Sequence, residues 1–144
     1  MSLIGLRGLI FRITSPRYRD LRRTAEMSRI HLGRFNIASV GAVYASGEPA
    51  TAVEELRRRA AREGTSLTAM HPRSILALRV ALHAMVDLTA PNALVTWGLS
   101  SSNLESDDFT RCQEVAAVAA QRGAEAVRWA SATGKGQSLA IYLE

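Results

Sequence analysis

Apolar and polar positions alternate with two different periods along this chain of 144 residues. Leu9-Ile10-Phe11-Arg12-Ile13 is a short β-rich run closed by Ser15-Pro16 and predicts a first strand. Tyr18, Leu21 and Ala25 give one weak helical stripe within an arginine-rich stretch from Arg17 to Arg29. A loop over His31–Asn36 leads to a second strand at Gly41–Ser46. Pro49 suits the first turn of a helix whose apolar face carries Val53, Leu56 and Ala60 and which Gly64 stops. From Leu76 to Leu88 the even positions are all apolar, a period of two that argues strand. The run is long for one strand, so a hairpin or two strands with a bend is expected. Pro91–Trp97 reads as a short helix, and Ser100–Asn103 as a turn-rich connector. Asp107 and Asp108 begin a long helix with a buried stripe of Phe109, Cys112, Val115, Ala116 and Ala119. Strands at Ala126–Ala130 and Ser138–Leu143 close the chain around a hairpin turn at Ser131–Gly136. Short strands and two main helices predict an α+β protein, with residues 1–144 read as a single domain.

Composition narrows the function classes. Apolar residues make up 47% and charged residues 22%, which is ordinary for a globular protein. No leader or membrane-spanning run is visible, so a cytoplasmic protein is expected. The single cysteine, Cys112, cannot form a disulfide within the chain and falls on a packed helix face. His31, His71 and His83 show no metal-ligand spacing, so no structural metal is expected. The formal net charge of +5 suits an anionic partner, whether nucleic acid, phosphorylated cofactor or acidic protein. The basic runs Arg17–Arg23 and Arg57–Arg62 lack the aromatic interleaving of a nucleic-acid reader, which disfavours direct nucleic-acid binding.

The chemistry is concentrated between Gly33 and Glu55. Arg34 follows a glycine, Tyr44 lies on a strand, and Glu55 sits at the margin of the apolar face of the next helix. An arginine fork can clamp phosphate, a phenol can stack on a flat ring, and a carboxylate can bind a sugar hydroxyl or steady a cationic transition state. The same three residue types also occur as a surface arginine, a buried tyrosine and a solvated glutamate, and spacing alone does not choose between the two. Arg12, flanked by apolar residues, reads either as an edge arginine facing water or as an inward arginine that needs an anion. The Gly134-Lys135-Gly136 fragment has no helix after it and is not read as a phosphate loop.

Gly33-Arg34-Phe35-Asn36, Gly41, Val43-Tyr44, Ser46 and Ala52-Val53-Glu54-Glu55 together resemble the core motif of the RES-domain family, the toxin halves of bacterial toxin–antitoxin pairs. Phe11-Arg12-Ile13, Val86-Asp87-Leu88-Thr89 and Ala130-Ser131-Ala132 resemble that family's further segments, in the family's order. The sequence departs from the pattern at Leu32, where a second glycine is usual. The resemblance implies a fold like that of ADP-ribosyltransferases: two small mixed or antiparallel sheets flanked by helices, with an NAD cleft between them. It implies a toxin that consumes NAD by cleaving the nicotinamide–ribose bond, as a glycohydrolase, a phosphorylase or an ADP-ribosyltransferase. It assigns Glu55, Arg34 and Tyr44 to catalysis, with Glu55 preferred to Glu54 because its distance from Tyr44 matches the family. It assigns Arg12, Arg34, Asn36, Tyr44 and Ser131 to binding NAD, which is the substrate, with no metal. An antitoxin of the Xre type, with a helix-turn-helix, is the implied partner, and a homo-oligomer is compatible. A small basic nucleic-acid-binding module without catalysis and a RES-like protein that has lost activity are the alternatives.

Overall fold

The structure, a computed structural model, describes residues 3–15, 19–66 and 73–143. Ten elements follow in order: β1 Ile4–Thr14, α1 Leu21–Ser28, β2 Ala42–Ser46, α2 Pro49–Arg62, β3 Ser74–Asp87, α3 Ala93–Thr96, α4 Ser101–Glu105, α5 Thr110–Gln121, β4 Ala126–Ala130 and β5 Gln137–Tyr142. The strands form a closed barrel in the order β1-β2-β5-β4-β3. Neighbours are antiparallel except β3 and β4, whose parallel pairing needs the long crossover through α3, α4 and α5.

The α+β class holds, but the two small sheets expected from the resemblance are replaced by this one barrel. The cause lies in the long even-position stripe. Instead of bending into a hairpin, β3 runs as one strand of 14 residues, because β1 offers a matching partner from Ile4 to Thr14. The other strands have five or six residues. The long pair therefore crosses the barrel and closes it at two short seams. One is Phe11 opposite Ser46, and the other is Met85–Asp87 beside Ala126–Arg128.

Two apolar clusters stabilise this arrangement. Ile10, Ala45, Met85, Ala126, Leu139 and Ile141 fill the barrel. Outside it, Cys112, Val115, Ala116 and Ala119 of α5 pack with Phe35, Val86, Val127 and Trp129. The predicted stripe of α5 is thus buried except at Phe109, which is half-exposed. Cys112 is fully buried, and burial pushes its thiol pKa up, as a core residue requires. Asp20 caps α1 by accepting from the backbone N–H of Arg22 (3.0 Å) and Arg23 (3.3 Å). Ser100 and Asn103, read from sequence as a connector, form a capping box that starts α4. Among the described residues no helix is long and apolar enough to cross a membrane.

The parallel seam carries its own lock. Arg128 donates from Nε to Asp87 Oδ1 (3.2 Å) and from Nη2 to Oδ2 (2.8 Å). Asp87 Oδ1 also accepts from the Thr89 backbone N–H (3.0 Å). Burial alone would raise the Asp87 pKa; hydrogen bonds from Arg128 and Thr89, with the Arg128 charge, outweigh it and hold the group below the usual carboxylate value. A depressed folded-state pKa stabilises the fold above the unfolded value, near 4, and this is lost as pH falls through the folded one. Asp87→Asn is expected to cost about 2 kcal/mol at neutral pH. It should also flatten the acid limb of stability, both checked by urea melts between neutral and acidic pH.

Candidate functional site

The loop from Gly33 to Asn36 is tied to β2 through two side chains. The Tyr44 hydroxyl donates to Asn36 Oδ1 (2.7 Å) and accepts from the Phe35 backbone N–H (3.0 Å). Asn36 Oδ1 accepts as well from the Gly33 N–H (2.8 Å), and its Nδ2 donates to the carbonyls of Ser28 (2.9 Å) and Val40 (3.3 Å). Asn36 is fully buried and every polar atom of its side chain is engaged inside the loop. It lies behind the cavity wall, where it positions the loop and not a ligand. Burial drives the Tyr44 hydroxyl pKa far above its ordinary value, so it stays neutral. That hydroxyl is committed to the loop, and Tyr44 lines the cavity.

Gly33 is required here by close approach. A Cβ on it would lie 2.4 Å from the Tyr44 hydroxyl and 2.5 Å from Cζ. The ring is pinned by Asn36 and Phe35 and cannot swing away. Gly33→Ala is therefore expected to cost about 2 kcal/mol. In a thermal melt this reads as a fall of roughly 4–8 °C.

The two arginines predicted from sequence differ in their ties. Arg34 Nη1 donates to the carbonyls of Asn103 and Ser106, both at 2.8 Å, and the guanidinium lies 4.5 Å over the Phe109 ring. It is thus partly committed to the end of α4. Arg12 Nη1 donates to the Tyr44 carbonyl (3.0 Å), while its buried Nε has no partner among the described residues. Burial, and then the charge of Arg59, lower the Arg12 pKa. A buried guanidinium with an open donor and a cationic neighbour calls for an anion.

Glu55 is held by two serines. The hydroxyls of Ser131 and Ser138 both donate to Glu55 Oε1, Ser138 at 3.1 Å. Oε2 has no hydrogen bond among the described residues and remains available. Ser131 is braced in turn by Thr133, Oγ to Oγ1 at 2.8 Å. Both serines are buried.

Arg12, Arg34, Tyr44 and Glu55 line one cavity of about 710 Å³, over β1 and β2 and between α1 and α2. Ser131 stands behind Glu55, and Asn36 behind Tyr44. Sequence reasoning missed Ser138, Trp129, Phe109 and the arginines Arg58, Arg59, Arg62 and Arg73, all on the same walls. The spacing of Glu55 to Arg58, Arg59 and Arg62 puts them on one face of α2, a signal that was available. Ser138 sits opposite Ser46 across β2 and β5, a pairing that only the fold reveals.

These features define a small α+β barrel with a cationic, ligand-sized cavity and one oriented carboxylate. The profile of the RES domain matches residues 9–143, and the chain belongs to the RES domain family. The structure is similar to a chain in the crystal structure of the M. tuberculosis MbcT–MbcA toxin–antitoxin complex. The TM-score is 0.84 at 24% sequence identity, covering 98% of this chain and 76% of that chain. No curated protein sequence matches.

Proposed function

We propose that this protein is the toxin of a toxin–antitoxin pair and that it consumes NAD by cleaving the bond between nicotinamide and ribose. The observation that carries the reading is Glu55, fixed by two serine hydroxyls with one oxygen open, in an arginine-lined cavity. Its volume falls within the range for small-molecule sites, about 300–1,000 Å³. The Arg12 guanidinium, assisted by Arg59, is the position for the pyrophosphate, and the Tyr44 and Trp129 rings are the apolar surface for nicotinamide. In the reaction the C1′–N bond breaks and nicotinamide leaves as a neutral molecule with the electron pair. Water, orthophosphate or a protein side chain then bonds to C1′ and releases a proton. The charge that develops on the ribose is stabilised by the carboxylate of Glu55, while the serines keep it from rotating away. Ser131, assigned from sequence to the ribose, acts here through Glu55 as a positioning residue.

Membership of the RES family, and the fold shared with a chain of a toxin–antitoxin complex, support an antitoxin as partner. An Xre-type antitoxin that covers the cavity fits the basic rim of Arg58, Arg59, Arg62 and Arg73. The reading is tested by incubating purified protein with NAD and following nicotinamide by chromatography. Catalytic release is expected, with further loss when a co-expressed antitoxin is absent. Unchanged NAD over many hours at micromolar enzyme would overturn it.

A further inference from the structure

We propose that the free edge of β3 pairs with the same edge of a second copy of this chain, so that two barrels share one antiparallel sheet across a two-fold axis.

The edge follows from the lengths of the pairings. β3 runs from Ser74 to Asp87, yet β4 pairs with it only at Met85, Val86 and Asp87. β1 covers its other side along nearly the whole length. Residues 75–82 therefore present a row of backbone N–H and C=O groups that meets no partner strand among the described residues. The fold closes this edge only where the barrel begins. There Glu125 Oε1 accepts from the backbone N–H of His83 (2.7 Å) and Ala84 (2.9 Å), and the Ala84 carbonyl accepts from the Glu125 N–H (2.7 Å). An open row of this kind is a template for another strand.

The ribbon has reason to take one. Two strands without a third are marginal in water. On the inward face Leu76, Leu78, Val80 and Leu82 are only half-buried, and outward Ile75 is 51% exposed beside exposed Ala77, Arg79 and Ala81. The β3 edge is also regular, in unbroken register with β1 from Leu82 to Ser74. The free edge of β1 is not: Gly8 sits at φ 143°, and the register shifts between Ile4 and Leu6.

Charge and symmetry favour a second copy. Arg79 is the one charged residue among residues 75–82, so the edge is recognised through its backbone and apolar side chains. A two-fold axis normal to the sheet pairs odd positions with odd and even with even. Pairing about Arg79 would set that arginine against its own copy, and pairing about Leu76 would set it against the second copy's Arg73. Like charges directly opposite disfavour both. Pairing about Ala77 or Leu78 avoids the conflict. Leu76 then stands opposite Leu78 or Val80 of the second copy, and the half-buried rows of two barrels join into one. The same patch serves both partners, as a closed two-fold dimer requires.

Sedimentation velocity of the full chain over a concentration series tests this, with Ala77→Lys and Ala77→Glu beside the wild type. Ala77 is exposed, so both variants keep the fold. The wild type is expected to dimerise. In Ala77→Lys the new cation faces either its own copy or Arg79, and the dimer weakens roughly 5–30-fold in both registers. Ala77→Glu reads the register: it strengthens a dimer centred on Leu78, where it faces Arg79, and weakens one centred on Ala77, where it faces itself. Hydrogen exchange is expected to show the amides of residues 75–82 protected in the dimer and exposed on dilution. A dimer that Ala77→Lys leaves unchanged overturns the proposal. So does a wild type that stays monomeric through the micromolar range; protection of the same amides by a different protein then gives the edge to a strand of that protein.

Discussion

Glu55→Gln is expected to cut nicotinamide release from NAD by roughly 10²–10³-fold with the fold intact. The amide retains an Oε1 that can accept from Ser131 and Ser138, so the geometry around this position in α2 survives. What disappears is the negative charge facing a ribose that becomes cationic as nicotinamide departs. The loss should fall on kcat, because the interaction matters most at the transition state. The check is a kcat and KM determination beside a thermal melt. A folded variant that keeps most of its turnover removes Glu55 from catalysis.

Arg12→Met gives the second large effect, with an opposite sign on stability. Methionine keeps the apolar stem against the cavity floor and removes a guanidinium with an unpartnered buried Nε. It also removes the repulsion felt from Arg59. Among the described residues the one hydrogen bond of its side chain that is lost is that to the Tyr44 carbonyl. The melting temperature is therefore expected to stay level or rise. Affinity for ADP-ribose is expected to fall roughly 10–100-fold, the range of one or two charge-assisted hydrogen bonds. A variant that becomes more stable while it stops binding marks a residue kept for function at a cost in stability. Calorimetry and a melt on the same preparation check both; unchanged ADP-ribose binding would take the pyrophosphate away from Arg12.

Much of the fold and of the site is legible in the sequence. β2 and β4 were readable because each is a short β-rich run, and α5 because its apolar positions recur at helical spacing. Arg12 was picked out by the family resemblance, since its place between Phe11 and Ile13 left both an outward and an inward setting open. The Gly33–Glu55 motif pointed to the family and to three side chains that share one cavity, Arg34, Tyr44 and Glu55. The rest depended on pairings that local pattern does not contain. Whether residues 74–87 bend or run straight is decided by β1, far away in sequence, and with it the choice between two sheets and a barrel. Tyr44 and Asn36 both looked like ligand contacts, yet each completes the other's hydrogen bonds across the loop. The Arg128 partner of Asp87 lies on another strand, and Ser138 reaches Glu55 only once β5 has docked on β2.

The central claim is that Arg12, Tyr44 and Glu55 surround one dinucleotide. Its most direct test is a crystal structure of the Glu55→Gln variant soaked with NAD. The expected density shows the pyrophosphate on Arg12, the nicotinamide against Tyr44 and Trp129, and a ribose hydroxyl within hydrogen-bond distance of residue 55. NAD bound elsewhere on the surface, with the cavity filled only by solvent, would contradict it.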